Sequence, residues 1–153
     1  MRENGRLVRK EMTVGDAAVD GLFGGVVAGI LMAAYVVAVG LVAGEGPGTV
    51  LGRFAAGEGA SPVSGALMHL AVSAVYGTLF GAVWHLIARR RRVGRPAWLA
   101  GLAYGVILLV VSEAAFLAGA ESPLQKIPLV HWAVAHGIYG LVLGWLTGRQ
   151  GER

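Results

Sequence analysis

The stretch His131-Trp-Ala-Val-Ala-His-Gly-Ile-Tyr-Gly-Leu-Val-Leu-Gly-Trp145 decides how the rest of the chain is interpreted. It lies inside a run, residues 129–147, that contains no Asp, Glu, Lys or Arg. At 1.5 Å per helical residue, such a run is long enough to cross a bilayer core of roughly 30 Å. Three similar apolar runs precede it, at residues 17–43, 62–88 and 97–118. The sequence therefore predicts an all-α integral membrane four-helix bundle, with residues 1–153 forming a single transmembrane domain.

The composition supports a membrane protein. Hydrophobic residues make up 56% of the chain and charged residues only 14%, against roughly a quarter in soluble domains. A soluble domain of 153 residues buries only about 70% of its unfolded surface, too little to hide this much apolar area. The chain has no cysteine, which excludes disulfides, thiolate metal sites, Fe–S clusters and c-type haem. Histidine-bound metal and haem b are not excluded.

The basic residues predict the orientation. Four lie before the first apolar run, and the loops after the first and third runs have one each. Five lie in the loop after the second run: Arg89, Arg90, Arg91, Arg92 and Arg95. The positive-inside rule then places both termini and the arginine loop in the cytoplasm, in a bacterial-type inner membrane. The net charge of +4 follows from this topology, so no nucleic-acid partner is expected. The arginines would fix topology or contact lipid headgroups.

Regularly spaced glycines line the predicted spans. In the first span Gly21, Gly25 and Gly29 recur every four residues, a spacing that favours close crossing of transmembrane helices. The second and fourth spans share a Tyr-Gly pattern with a further glycine four residues on: Gly77 and Gly81, Gly140 and Gly144. We predict that these are helix-packing residues, either within the bundle or against another subunit. The shared patterns are those of a tandem duplication of a two-helix hairpin.

A few polar residues share one depth in the predicted bundle. With the predicted topology, His69, Glu113 and His136 each lie about 10 Å below the outer surface. Helical spacing adds three neighbours to this predicted cluster: Ser73, Tyr76 and Tyr139. Three interpretations remain: a buried hydrogen-bond cluster, a proton or cation path, or a ligand site. In the last, His69 and His136 with the Glu113 carboxylate would hold a divalent metal, or the two imidazoles alone would hold haem b.

The sequence contains no motif of a known catalytic class. It has no nucleotide-binding loop, no metalloprotease signature and no activated nucleophile, so we expect that the protein is not an enzyme. The segment Pro123-Leu-Gln-Lys-Ile-Pro128, followed by His131-Trp132 and His136-Gly137, resembles the YagU-like family of small bacterial inner-membrane proteins. The order of a Gly-rich first helix, a polar outer loop and a helix that opens with histidine is also similar. The resemblance implies a multi-pass membrane protein of a family associated with acid tolerance.

Two functions fit these features. The first is a structural or accessory subunit, which would have as partners the lipid bilayer and other membrane subunits or further copies of itself. The alternative is a proton or cation transporter, or a histidine-ligated metal- or haem-binding membrane protein, that uses the outer-leaflet His/Glu cluster.

Overall fold

The computed structural model describes residues 12–55, 61–90, 97–119 and 122–150. Its elements are α1 (Val14–Val42), α2 (Pro47–Gly52), α3 (Pro62–Arg90), α4 (Ala97–Leu117), a 3-10 turn (Pro123–Lys126) and α5 (Leu129–Gln150). No strand occurs within these residues. Helices α1, α3, α4 and α5 are long and apolar enough to cross a membrane. The predicted all-α fold with four spanning helices is confirmed.

Helix α1 begins three residues before the predicted boundary because of a polar cap. Thr13 accepts a hydrogen bond from the backbone N–H of Asp16 at 3.1 Å, and the Asp16 carboxylate accepts one from the N–H of Thr13 at 2.9 Å. This reciprocal pair satisfies N–H groups that have no partner within the helix. The other spanning helices begin at the predicted residues, and their ends differ from prediction by one to three residues.

The four long helices associate as two tight pairs. Helix α1 packs along α3, and α4 packs along α5. Contact between α1 and α5 joins the pairs, whereas α3 and α4 barely touch. The buried residues Ala28, Met32, Ala135 and Leu143 lie on α1 and α5, so the core is centred on that interface. The bundle is therefore closed on its α1–α5 side and open along the seam between α3 and α4.

Glycine brings the backbones of α1 and α3 into contact. A methyl group added at Gly81 would lie 2.9 Å from the Cα of Gly21, and one added at Gly25 would lie 2.8 Å from the Cα of Gly77. Real side chains essentially never approach this closely, so alanine does not fit without separating the helices. Further along α1, a methyl group at Gly29 would lie 2.6 Å from the Cβ of Ser73.

The second helix pair repeats these contacts at corresponding positions. Gly101 of α4 takes the place of Gly21, and Gly144 of α5 takes the place of Gly81. A methyl group at Gly144 would lie 2.9 Å from the Cα of Gly101, the same distance as in the first pair. Gly105 correspondingly contacts Gly140. The two pairs thus share their helix crossing as well as their sequence pattern, as a tandem duplication would produce.

The short elements lie at one end of the bundle. Helix α2 packs Val50, which is 1% exposed, against Gly40 at the end of α1, and its backbone contacts Gly65 at the start of α3. The 3-10 turn leads into α5 at the same end. We call this the loop end, and the opposite end, where α1 and α4 begin and α3 and α5 finish, the terminal end.

Gly140→Ala tests the close contact against Gly137→Ala on the same helix. A methyl group at Gly140 would lie 3.0 Å from the backbone N of Gly105, whereas nothing lies within 4 Å of one at Gly137. We expect Gly140→Ala to lower the free energy of unfolding by about 1–3 kcal/mol, the usual cost of overpacking. Gly137→Ala should be neutral or stabilising by up to about 1 kcal/mol, since alanine favours helix. Unfolding in mixed micelles, followed by circular dichroism, would measure both; equal effects would contradict this packing.

Candidate functional site

A cavity of about 330 Å³ lies at the open seam, in the half of the bundle nearer the loop end. Helices α3 and α4 form its two sides, and residues of α1 and α5 form its back wall. Met68, Val72 and Val111 line it and are 44%, 46% and 52% exposed, so the cavity opens sideways to the apolar surface of the bundle. Five of the six residues predicted as the polar cluster also line it: His69, Ser73, Tyr76, His136 and Tyr139.

His69 is held by a contact between helices. It is 9% exposed, and its Nε2 donates a hydrogen bond to the backbone carbonyl of Gly29, with 2.9 Å between the two atoms. Its ring stacks at an angle on Phe54, with ring centroids 4.3 Å apart. Because a carbonyl can only accept, Nε2 carries the proton. In a neutral imidazole the other nitrogen, Nδ1, is then an acceptor.

His136 is held by its own helix. Its Nδ1 donates to the carbonyl of Trp132, one turn earlier, at 2.9 Å. The Trp132 indole meets the imidazole edge to face, with ring centroids 4.6 Å apart. The same indole donates from Nε1 to the Ser112 hydroxyl of α4 at 3.0 Å, which ties α4 to α5 beside the cavity. For a neutral His136, Nε2 is the remaining acceptor.

Tyrosines form a second polar layer deeper in the bundle. The Tyr139 hydroxyl donates to the carbonyl of Ser73 at 2.7 Å, and the Tyr104 hydroxyl donates to the carbonyl of Tyr76 at 3.0 Å. Both bonds end on backbone carbonyls of α3, from α5 and α4 respectively. They add polar links between helices that share little or no other contact, so these links fix how far α3 stands from its neighbours across the cavity.

Glu113 does not join the cavity. It lines a separate groove with Leu124, Pro128 and Trp132 at the loop end. The physical reason is helical geometry, because one residue rotates the side-chain direction by about 100°. The α4 residues that line the cavity fall on one side of the helix, and Glu113 lies outside that side; the lining residues are Leu108, Val111, Ser112, Ala115 and Phe116. The shared depth of the three titratable residues was therefore a poor guide to their contacts.

The described residues contain no group of three or more His, Cys, Asp or Glu that could hold a metal ion. The predicted set of two imidazoles and a carboxylate is thus not assembled. His69 and His136 line one cavity, but each uses one ring nitrogen on a backbone carbonyl. Among the described residues that line the cavity, Nδ1 of His69 and Nε2 of His136 are the imidazole atoms left for a divalent metal or haem b.

The sequence did not single out Phe54, Met32 or Trp132 as cavity residues. Trp132 lies one turn before His136, so the helical spacing already placed the two on one face. Phe54 follows α2 in a glycine-rich segment without periodicity, and no sequence signal placed it over His69. Of the predicted topology arginines, Arg89 and Arg90 end α3, whereas Arg91, Arg92 and Arg95 lie outside the described residues.

No family model, curated protein or solved structure matches this chain. The resemblance to the YagU-like family therefore stays a prediction, and the site is interpreted from its own geometry.

Tyr139→Phe tests the hydrogen bond between α5 and α3. The change removes the hydroxyl donor and leaves the carbonyl of Ser73 without this partner. We expect the free energy of unfolding in micelles to fall by about 0.6 kcal/mol, and by no more than about 1.7 kcal/mol, the range measured for such bonds in membranes. A stability unchanged within error would contradict the assigned bond.

Proposed function

We propose that this chain is a small membrane protein that binds a lipid-soluble molecule carrying a hydroxyl group. The observation that carries the proposal is the cavity between α3 and α4, which joins an apolar opening to a polar inner wall. Its volume of about 330 Å³ lies at the small end of the range for ligand sites. A molecule dissolved in the bilayer could enter sideways without crossing water.

The hydrogen-bonding state of the wall suggests the chemistry of the ligand. Both imidazoles donate to backbone carbonyls, which leaves acceptor nitrogens as the groups that neutral histidines can offer. The Tyr139 hydroxyl also donates to a carbonyl, so its oxygen can accept. A ligand that donates a hydrogen bond matches these acceptors. A long-chain alcohol, a phenol or a quinol can donate to them, and a simple alkane cannot.

Binding of a neutral hydroxyl compound accounts for the geometry better than the other candidate functions. A carboxylate at the cavity would favour a cation site, and Glu113 lies in another groove. The accessory-subunit function stays a prediction, with one observation in its favour. Only 11% of the spanning part of α4 is buried, against 28–39% for the other three spanning helices, so α4 leaves the largest share of its span open to a partner. A bacterial inner membrane with cytoplasmic termini, and the absence of enzymatic activity, likewise stay predictions.

Quenching of Trp132 fluorescence tests the proposal. Trp84, Trp98 and Trp145 are replaced by Phe, so that Trp132 on the cavity wall is the only emitter. A brominated long-chain alcohol is then titrated into nanodiscs and compared with the matching bromoalkane. We expect saturable quenching by the alcohol at about fivefold lower concentration than by the alkane, the effect of one hydrogen bond of about 1 kcal/mol.

Two phenylalanine variants on α4 provide the matched comparison. Ala115 lines the cavity and Ala114 does not, although both are exposed. Ala115→Phe should abolish the saturable component, and Ala114→Phe should leave it unchanged. His136→Phe should remove the preference for the alcohol over the alkane. Quenching that rises without saturation and is equal in both alanine variants would show that the cavity binds nothing.

A further inference from the structure

A second cavity, of about 500 Å³, lies at the loop end on the opposite side of the bundle. It lies between the last turns of α1 and the first turn of α5. Apolar residues form much of its wall: Val36, Val39, Val42, Ala43, Ile127 and Pro128. Tyr35 and His131 line it as well and are hydrogen-bonded to each other, with 2.9 Å between the hydroxyl oxygen and Nδ1. We call this cavity the α1–α5 groove.

Acidic and basic side chains line the edge of the α1–α5 groove that lies toward the loops. Glu45, Arg53 and Lys126 all line it. Arg53 forms an ion pair with Glu45, and their side chains are 14% and 31% exposed. A guanidinium has five N–H donors, so this pair leaves most of them available, and a carboxylate accepts several hydrogen bonds. Lys126 is exposed and ends the 3-10 turn.

These charged side chains lie at the level expected for the membrane surface. Helix α1 ends at Val42 and α5 begins at Leu129, so the charged edge stands where the spanning helices meet the headgroup layer. From this edge the groove extends back along the last two turns of α1, past Val39 and Val36, in the direction of the acyl chains. An amphipathic groove in this orientation matches a phospholipid standing in the same leaflet.

We infer that the α1–α5 groove binds a phospholipid whose headgroup carries both a phosphate and a primary ammonium, as phosphatidylethanolamine does. The phosphate would accept hydrogen bonds from Arg53 and Lys126, and the ammonium would donate hydrogen bonds to Glu45. Charge complementarity favours this headgroup over two others. Phosphatidylglycerol offers no cation to Glu45, and the choline of phosphatidylcholine has no N–H to donate.

Competitive retention of lipids tests the inference. The full chain is purified into micelles that contain equal amounts of phosphatidylethanolamine, phosphatidylcholine and phosphatidylglycerol with identical acyl chains, and bound lipid is counted by native mass spectrometry. We expect phosphatidylethanolamine to be retained about tenfold more than either competitor, the effect of one hydrogen bond between charged groups. Equal retention of the three lipids would overturn the inference. Preference for phosphatidylglycerol would also overturn it, because it would indicate a site for anions alone.

Substitutions at the groove locate the binding. Glu45→Gln should reduce retention of phosphatidylethanolamine to that of phosphatidylcholine, and Lys126→Gln should reduce retention of both. The control is Arg149→Gln at the terminal end, where the Arg149 guanidinium lies 4.1 Å from the centroid of Trp145. This control should leave lipid retention unchanged. A Glu45→Gln variant that still prefers phosphatidylethanolamine would overturn the inference, and if that variant fails to fold, the ranking on the unmodified chain decides.

The proposal for the α1–α5 groove and the proposal for the cavity at the α3–α4 seam can be contradicted separately. Ala115→Phe alters the seam cavity alone, so it should leave the retention of phosphatidylethanolamine unchanged. Lys126→Gln alters the groove alone, so it should leave quenching of Trp132 by the brominated alcohol unchanged.

Discussion

The structure depends on backbone contact between glycines. In a bilayer, burial of apolar side chains gives little drive for association, because lipid is as apolar as the helix surface. The helices must instead gain from close packing, and glycine permits this at Gly21 against Gly81 and at Gly101 against Gly144. This constraint divides the bundle into two equivalent pairs. It also leaves the α3–α4 seam without a comparable contact, which is where the cavity forms.

Hydrogen bonds from polar side chains also hold the helices together. Among the described residues, the imidazole of His69 and the hydroxyls of Tyr104 and Tyr139 each donate to a backbone carbonyl of another helix. A polar group without a partner in the apolar layer would be costly, so these bonds fix both the helices and the side chains. One consequence reaches the site. The donors of His69, His136 and Tyr139 are used internally, so these three side chains present acceptors to whatever enters from the bilayer.

The sequence was informative where a property follows from one helix alone. Apolar run length predicted all four spans, and helical spacing placed His136 and Tyr139 on one face. The sequence was a poor guide to contacts between side chains of different helices, because these depend on how the helices are rotated against each other. Depth suggested that Glu113 joins the histidines, but its rotation about α4 directs it to a different groove. Phe54 reaches His69 from a segment without periodicity. The open seam follows from the pairing of α1 with α3 and of α4 with α5. The sequence of one apolar segment alone does not determine this pairing.

Disulfide formation across the two seams tests most directly whether the bundle is closed at α1–α5 and open at α3–α4. The chain has no cysteine to interfere. A Cβ at Gly24 would lie 3.9 Å from that of Leu146, close to the mean for disulfides of about 3.8 Å. Gly24→Cys with Leu146→Cys should therefore form a disulfide under mild oxidation in nanodiscs. Val72→Cys with Val111→Cys, across the cavity, should not. Rapid bonding of the second pair and none of the first would contradict the account.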